Sequence, residues 1–224
     1  MSELIRDHGI SKLLSLFLLI FTVSILVILT SVPSQIFQRE METEVKSLSS
    51  LINENQWLDL TLQVKNIYTN NYINNGVQEA IENALLPKGN YKVKEIVEKF
   101  KGDFILERVV NNIHILSYQM VYRVSMMKYW IWVMLPLFIA LIYDGYMIRK
   151  IRMYEPRQIS IKGSRIWTRS IVYMLVFTFC YLLIPNFLGQ KAPWYPVVML
   201  MLTALACRNT ISNYMKVAYE IEYA

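Results

Sequence analysis

Residues 129–169 read YWIWVMLPLFIALIYDGYMIRKIRMYEPRQISIKGSRIWTR, and this stretch decides the fold. An apolar run closes on Tyr143-Asp144-Gly145. A segment follows that carries Arg149, Lys150, Arg152, Arg157, Lys162, Arg165 and Arg169 against the single Glu155, and then a second apolar run begins. The pattern predicts a membrane exit, a basic turn and a re-entry. Lys and Arg in short loops stay on the cytoplasmic side of a bilayer, so the same segment orients the chain.

Composition agrees with that reading. The 224 residues are 54% hydrophobic with mean hydropathy +0.30, too apolar for an ordinary soluble domain. Positive-inside loops make most polytopic proteins basic, so the net charge of +6 does not by itself point to nucleic acid. Cys180 and Cys207 lie in apolar stretches and read as small buried hydrophobes rather than a disulfide. His8 and His114 have no ligand partner at metal spacing, so neither a metal nor a cofactor is expected.

The expected architecture is an all-α polytopic membrane protein with four transmembrane helices and a helical external (periplasmic) segment between the first two. A short cytoplasmic N-terminus, residues 1–12, precedes the first helix at 13–33. That helix reads as an uncleaved signal anchor, because Thr30-Ser31-Val32-Pro33-Ser34 lacks a small-residue cleavage site. Residues 34–125 hold ten Lys and Arg against eleven Asp and Glu, a balance that contrasts with the basic turn and places them on the opposite side of the membrane. The second span is 126–148, the basic cytoplasmic loop 149–165 and the third span 166–188. A periplasmic turn at 189–193, a fourth span at 194–214 and a cytoplasmic C-terminus at 215–224 complete the chain. Tyr129, Trp130 and Trp132 mark the outer end of the second span, and Tyr143 and Tyr146 its inner end, as interfacial aromatics do. This topology puts both termini in the cytoplasm; the resemblance given below implies that the membrane is a bacterial inner membrane.

Within the external segment, Phe37, Met41, Val45, Leu48 and Ile52 recur at helical spacing, which predicts that the first helix runs on out of the membrane. Trp57 to Ile73 reads as a helix interrupted at Asn70-Asn71 and again at Asn74-Asn75-Gly76. Val77, Ile81, Ala84 and Leu85 predict a short helix ended by Pro87. Val93, Ile96, Val97 and Phe100 predict another. From Asp103, the stripe Phe104, Val109, Ile113, Leu116, Met120 and Val124 leads without Pro or Gly into the second span. The ascending and descending helices are therefore expected to pair as an antiparallel stalk. Its stripe serves either as core or as a surface for a homo-oligomer.

No nucleotide-binding, zinc-protease, acyl-transfer or dithiol motif is present, and the chain reads as a non-enzyme. Chemistry is left to polar groups at membrane depth. Asp144 lies fifteen residues from Tyr129 and Arg208 fourteen from Trp194, so both sit about 21–22 Å from the outer interface at 1.5 Å per residue. An isolated charge there costs on the order of 2–3 kcal/mol, so an intramembrane ion pair Asp144–Arg208 is one reading. The other pairs Asp144 locally with Arg149 or places it among lipid headgroups. Arg149, Lys150, Arg152, Arg157, Lys162 and Arg165 likewise allow two readings: topogenesis with attraction to anionic lipid, or a cytoplasmic docking surface. A transporter or channel subunit, or a sensor with a periplasmic helical domain, are the alternative functions. Direct DNA contact is left open.

Tyr122-Arg123, Leu135-Pro136-Leu137, and Tyr143-Asp144-Gly145 followed by Arg149, Ile151 and Arg152 form a pattern similar to a known family. It resembles the TraJ-like membrane partners of the DNA-transfer coupling protein, encoded by integrating conjugative elements and large conjugative plasmids. Pro185 late in the third span, Pro196 early in the fourth and the polar end Asn213-Tyr214-Met215-Lys216 extend the likeness, which is best over residues 118–216. The chain departs from the family at Ile166-Trp167-Thr168, where a Tyr-His-like pair is common. The resemblance implies a non-enzymatic inner-membrane component that associates with the coupling ATPase serving a type IV secretion channel.

Overall fold

The computed structural model describes residues 2–86, 102–154, 161–185 and 188–213. Every regular element among them is helical: α1 (Ser2–Ser31), α2 (Ser34–Ser49), α3 (Glu54–Tyr68), a π-helical turn (Thr69–Asn74), α4 (Val77–Leu85), α5 (Gly102–Tyr154), α6 (Ile161–Leu183), a 3-10 turn (Gly189–Lys191) and α7 (Trp194–Asn213). The all-helical class expected from the sequence holds among the described residues. Ile105–Arg152 within α5 and Ile166–Leu183 within α6 are long and apolar enough to cross a membrane. The bent pair α1/α2 makes three if it counts as one span. α7 falls outside that set because Arg208, Asn209, Thr210, Ser212 and Asn213 occupy its second half.

Two expectations need correction. The first helix does not run on: Ser15–Ser31 and Ser34–Ser49 meet at 110°. Pro33 is the cause, since it lacks the N–H that the Leu29 carbonyl needs and its ring opposes the preceding turn. The Asn70-Asn71 pair does not interrupt α3 but is absorbed into the wider π-helical turn, and the break comes at Gly76, where φ is +72° and glycine is the residue at ease. Helices also extend into the segment expected as the basic loop, 149–165. α5 carries Arg149, Lys150 and Arg152 to Tyr154, and α6 already begins at Ile161. The helix expected over Val93 to Phe100 lies outside the described residues.

The chain divides into two compact units, Met1–Glu42 with Lys65–Gln119 and Thr43–Val64 with Met120–Ala224. In the first, Leu29, Phe37, Tyr72 and Val110 are buried. Tyr68 meets Tyr118 and Tyr72 meets His114, so the end of α3 and the π turn run antiparallel to α5. In the second, Leu48, Leu60, Val64, Met126, Cys180, Ala204 and Ala206 are buried, and α6 and α7 pack along one another. On α7 the buried Ala204 and Ala206 are small residues of the kind that let neighbouring helices approach closely.

Candidate functional site

The second unit holds its helices through polar contacts made by α5. The most enclosed is Arg123, of which 2% is exposed, paired with Glu44, which is fully buried. Arg123 Nε donates to Glu44 Oε1 and Nη2 to Oε2, each at 2.9 Å, the bidentate fork for which a guanidinium is shaped. Nη1 donates to the carbonyls of Tyr181 and Ile184, the latter at 2.6 Å. Pro185 explains the first of these: Tyr181 would bond the N–H four residues on, and proline has none. A cation is favoured at that helix end by the dipole as well. The guanidinium carbon also lies 4.4 Å from the centre of the Tyr181 ring, which stacks with Tyr195 at 4.1 Å and donates its hydroxyl to the Ala192 carbonyl at 3.2 Å.

Further along α5 is a second junction. Arg208 Nε donates to Asp144 Oδ2 at 2.5 Å. Gly145 makes the approach available: a Cβ built there would lie 2.7 Å from the Arg208 carbonyl oxygen and 3.1 Å from its Cα, so only a residue without a side chain lets the two backbones meet. Beyond it, Arg152 Nη1 donates to Asn213 Oδ1 at 2.9 Å and to the Ser212 carbonyl at 3.4 Å, a basic cap on the last turn of α7. If the Asp144–Arg208 contact holds the two helices, exchanging the two charges should restore most of the thermal stability that Asp144→Arg or Arg208→Asp alone removes. Melting of the purified full chain measures this, and no rescue by the exchange would show that the contact carries no weight.

The first unit repeats the capping device. Pro33 leaves the Leu29 carbonyl without its helical donor, and Asn112 Nδ2 donates to Leu29 and Val32, each at 2.9 Å. Nearby, Tyr72 hydroxyl and His114 Nδ1 are 2.7 Å apart, His114 Nε2 is 3.7 Å from Glu82 Oε1, and Tyr68 stacks on Tyr72 at 4.8 Å. Burial first, then the neighbouring Tyr72 and Tyr118, pushes the Tyr68 phenol up to about 12. A raised folded value stabilises the neutral form, so the contribution is complete below pH 10, the ordinary tyrosine value, and is lost as pH rises toward 12. Ultraviolet titration should show a late phase in wild type that includes Tyr68, and Tyr68→Phe should reduce its amplitude by one phenol.

Of the residues singled out from sequence, the structure brings Asp144 and Arg208 together and commits Arg152 to α7. It places Arg149 half-buried and Lys150 exposed near the end of α5. Arg157 and the side chains of Lys162 and Arg165 lie outside the described residues. Sequence reasoning missed Glu44, Asn112 and the structural use of Arg123. For Asn112 and Arg123 the signal was present in Pro33 and Pro185, each of which strands a carbonyl that some donor must meet.

No curated protein and no solved structure matches the chain. One family does, over residues 28–215, a range that takes in all three junctions of α5. The chain belongs to the DtrJ-like family of IncC plasmid conjugative DNA transfer proteins.

Proposed function

We propose that the chain is a non-enzymatic inner-membrane component of a conjugative, type IV secretion-linked DNA-transfer apparatus that associates with its coupling ATPase. Membership of a conjugative DNA transfer family carries the process. One observation about α5 carries the membrane reading. Arg123 and Asp144, which pair with Glu44 and Arg208, are 21 residues apart, about 32 Å of helix, against a hydrocarbon core of about 30 Å. Between them α5 exposes Ile131, Trp132, Val133, Leu135, Leu137, Ile139 and Ile142. Ion pairs at both edges with an apolar surface between them suit a helix whose ends are fixed at the two faces of a bilayer.

In this reading α1, α5, α6 and α7 all cross, residues 34–125 are periplasmic and both termini are cytoplasmic. α7 crosses despite its polar second half because Asp144 and Arg152 meet Arg208 and Asn213 on the cytoplasmic side. Arg149, Arg157, Lys162 and Arg165 then face the cytoplasm as the docking surface for the ATPase. The test is affinity purification of the full chain from membranes that also contain the coupling ATPase. Wild type should retain the ATPase, and reversal of Arg157, Lys162 and Arg165 to Glu should release it. Normal transfer frequency in a strain lacking the gene would overturn the proposal.

A further inference from the structure

Beyond the junctions, α5 presents one exposed face that none of them uses. Tyr143, Tyr146, Lys150 and Tyr154 follow at spacings of three, four and four, which aligns them on a single stripe of the helix. The tyrosines are 59%, 42% and 87% exposed. Toward the N-terminus the same stripe continues through Ile139 and Trp132, both well exposed, so it is apolar for several turns before it becomes aromatic and basic. Lys150 lies 18 residues past Trp132, about 27 Å of helix, which brings its ammonium to the edge of a bilayer core about 30 Å thick. Its Nζ is 4.9 Å from the centre of the Tyr146 ring, one turn back toward the apolar run. The ring supports the cation electrostatically, and the remaining ammonium donors can meet an anion.

We propose that Lys150 and Tyr146, with Tyr143 beside them, bind the headgroup of an anionic phospholipid in the cytoplasmic leaflet. The ammonium and the phenolic hydroxyls supply the donors a phosphodiester requires, and the apolar stripe above receives the acyl chains. Charge complementarity favours this occupant, since the segment 149–169 carries seven cations against one carboxylate. A strand of nucleic acid is the weaker fit, because Tyr143 and Tyr146 lie on the membrane side of Lys150, where bases would have to enter lipid to stack. Lipid thus holds the stem of the basic segment and leaves the cations beyond it for a protein partner.

The inference rests on α5 crossing the membrane, and the experiment separates the two. The full chain is reconstituted in nanodiscs of mixed phosphatidylcholine and phosphatidylglycerol, and the lipids it retains on release are counted by native mass spectrometry. Wild type should retain phosphatidylglycerol in excess. Lys150→Gln should lose about five-fold of that preference, the worth of one cation near an anionic surface. Tyr146→Phe, which keeps the ring and loses the hydroxyl, should lie between them, and all three should melt at the same temperature. Equal preference in wild type and Lys150→Gln would overturn the headgroup site while leaving α5 in the membrane. Unchanged lipid preference with lost binding of a single-stranded oligonucleotide would assign the stripe to nucleic acid instead. A chain that does not enter nanodiscs at all would overturn both readings.

Discussion

Arg123→Met is expected to be the most damaging single substitution among those the structure motivates, at roughly 3–5 kcal/mol, because it strands a fully buried carboxylate. Two losses combine. Glu44 keeps its desolvation cost without its partner, and the Tyr181 and Ile184 carbonyls lose their donor. The distinguishing measurement is the double variant Glu44→Leu, Arg123→Met. A buried ion pair replaced on both sides by apolar residues is often nearly neutral, so the double variant should melt well above Arg123→Met alone. It should still melt below wild type, since no side chain then reaches the carbonyl that Pro185 strands. A double variant no better than the single would show that the carbonyl contacts, not the ion pair, dominate.

Gly145→Ala is expected to have the second largest effect, about 1–3 kcal/mol, as overpacking does. Its cause differs from that of Arg123. The added methyl would meet backbone atoms of Arg208, which cannot turn aside as a side chain could, so α5 and α7 must separate. Separation also draws Arg208 away from Asp144. Melting of Gly145→Ala beside Gly76→Ala is the control. Gly76 has open space around its Cβ position and a positive φ, so its variant carries backbone strain of about 1–2 kcal/mol and no clash. A Gly145→Ala variant that melts with wild type would mean that the seam between α5 and α7 yields easily.

The long apolar runs were legible because their length and periodicity exceed anything local chemistry can reverse. The stalk was legible only in part. An apolar stripe through Val109, Ile113, Leu116, Met120 and Val124 predicted which face of α5 points inward, yet Val124 is half exposed, and Asn112, Gln119 and Arg123 are buried. Apolar periodicity cannot register a core face made of polar residues. Phe37 and Leu48 are legible as core, while Glu44, on the same side of α2, is not, because a lone carboxylate normally marks the solvated face. Pro33 was visible, but the stripe beyond it argued for continuity, and a missing backbone hydrogen bond outweighed the stripe. For the basic segment, a run of cations between two apolar runs predicts a turn, whereas helix α5 carries the first three of those cations and reaches Tyr154.

Side chains of a single helix, α5, close the C-terminal ends of three others: Asn112 that of α1, Arg123 that of α6 and Arg152 that of α7. During synthesis these three closures come at different times. The end of α1 must remain open until about eighty more residues have been made, since Asn112 trails Val32 by that distance. Arg123 and Arg152, in contrast, exist before the helices they finish, so α6 and α7 dock onto donors already in place. A chain that ends before Asn112 should therefore leave the Leu29 and Val32 carbonyls to water, which isotope-edited infrared spectra of those carbonyls would show, while the full chain meets all three ends with its own donors. The order of translation is written into which helix supplies the donors.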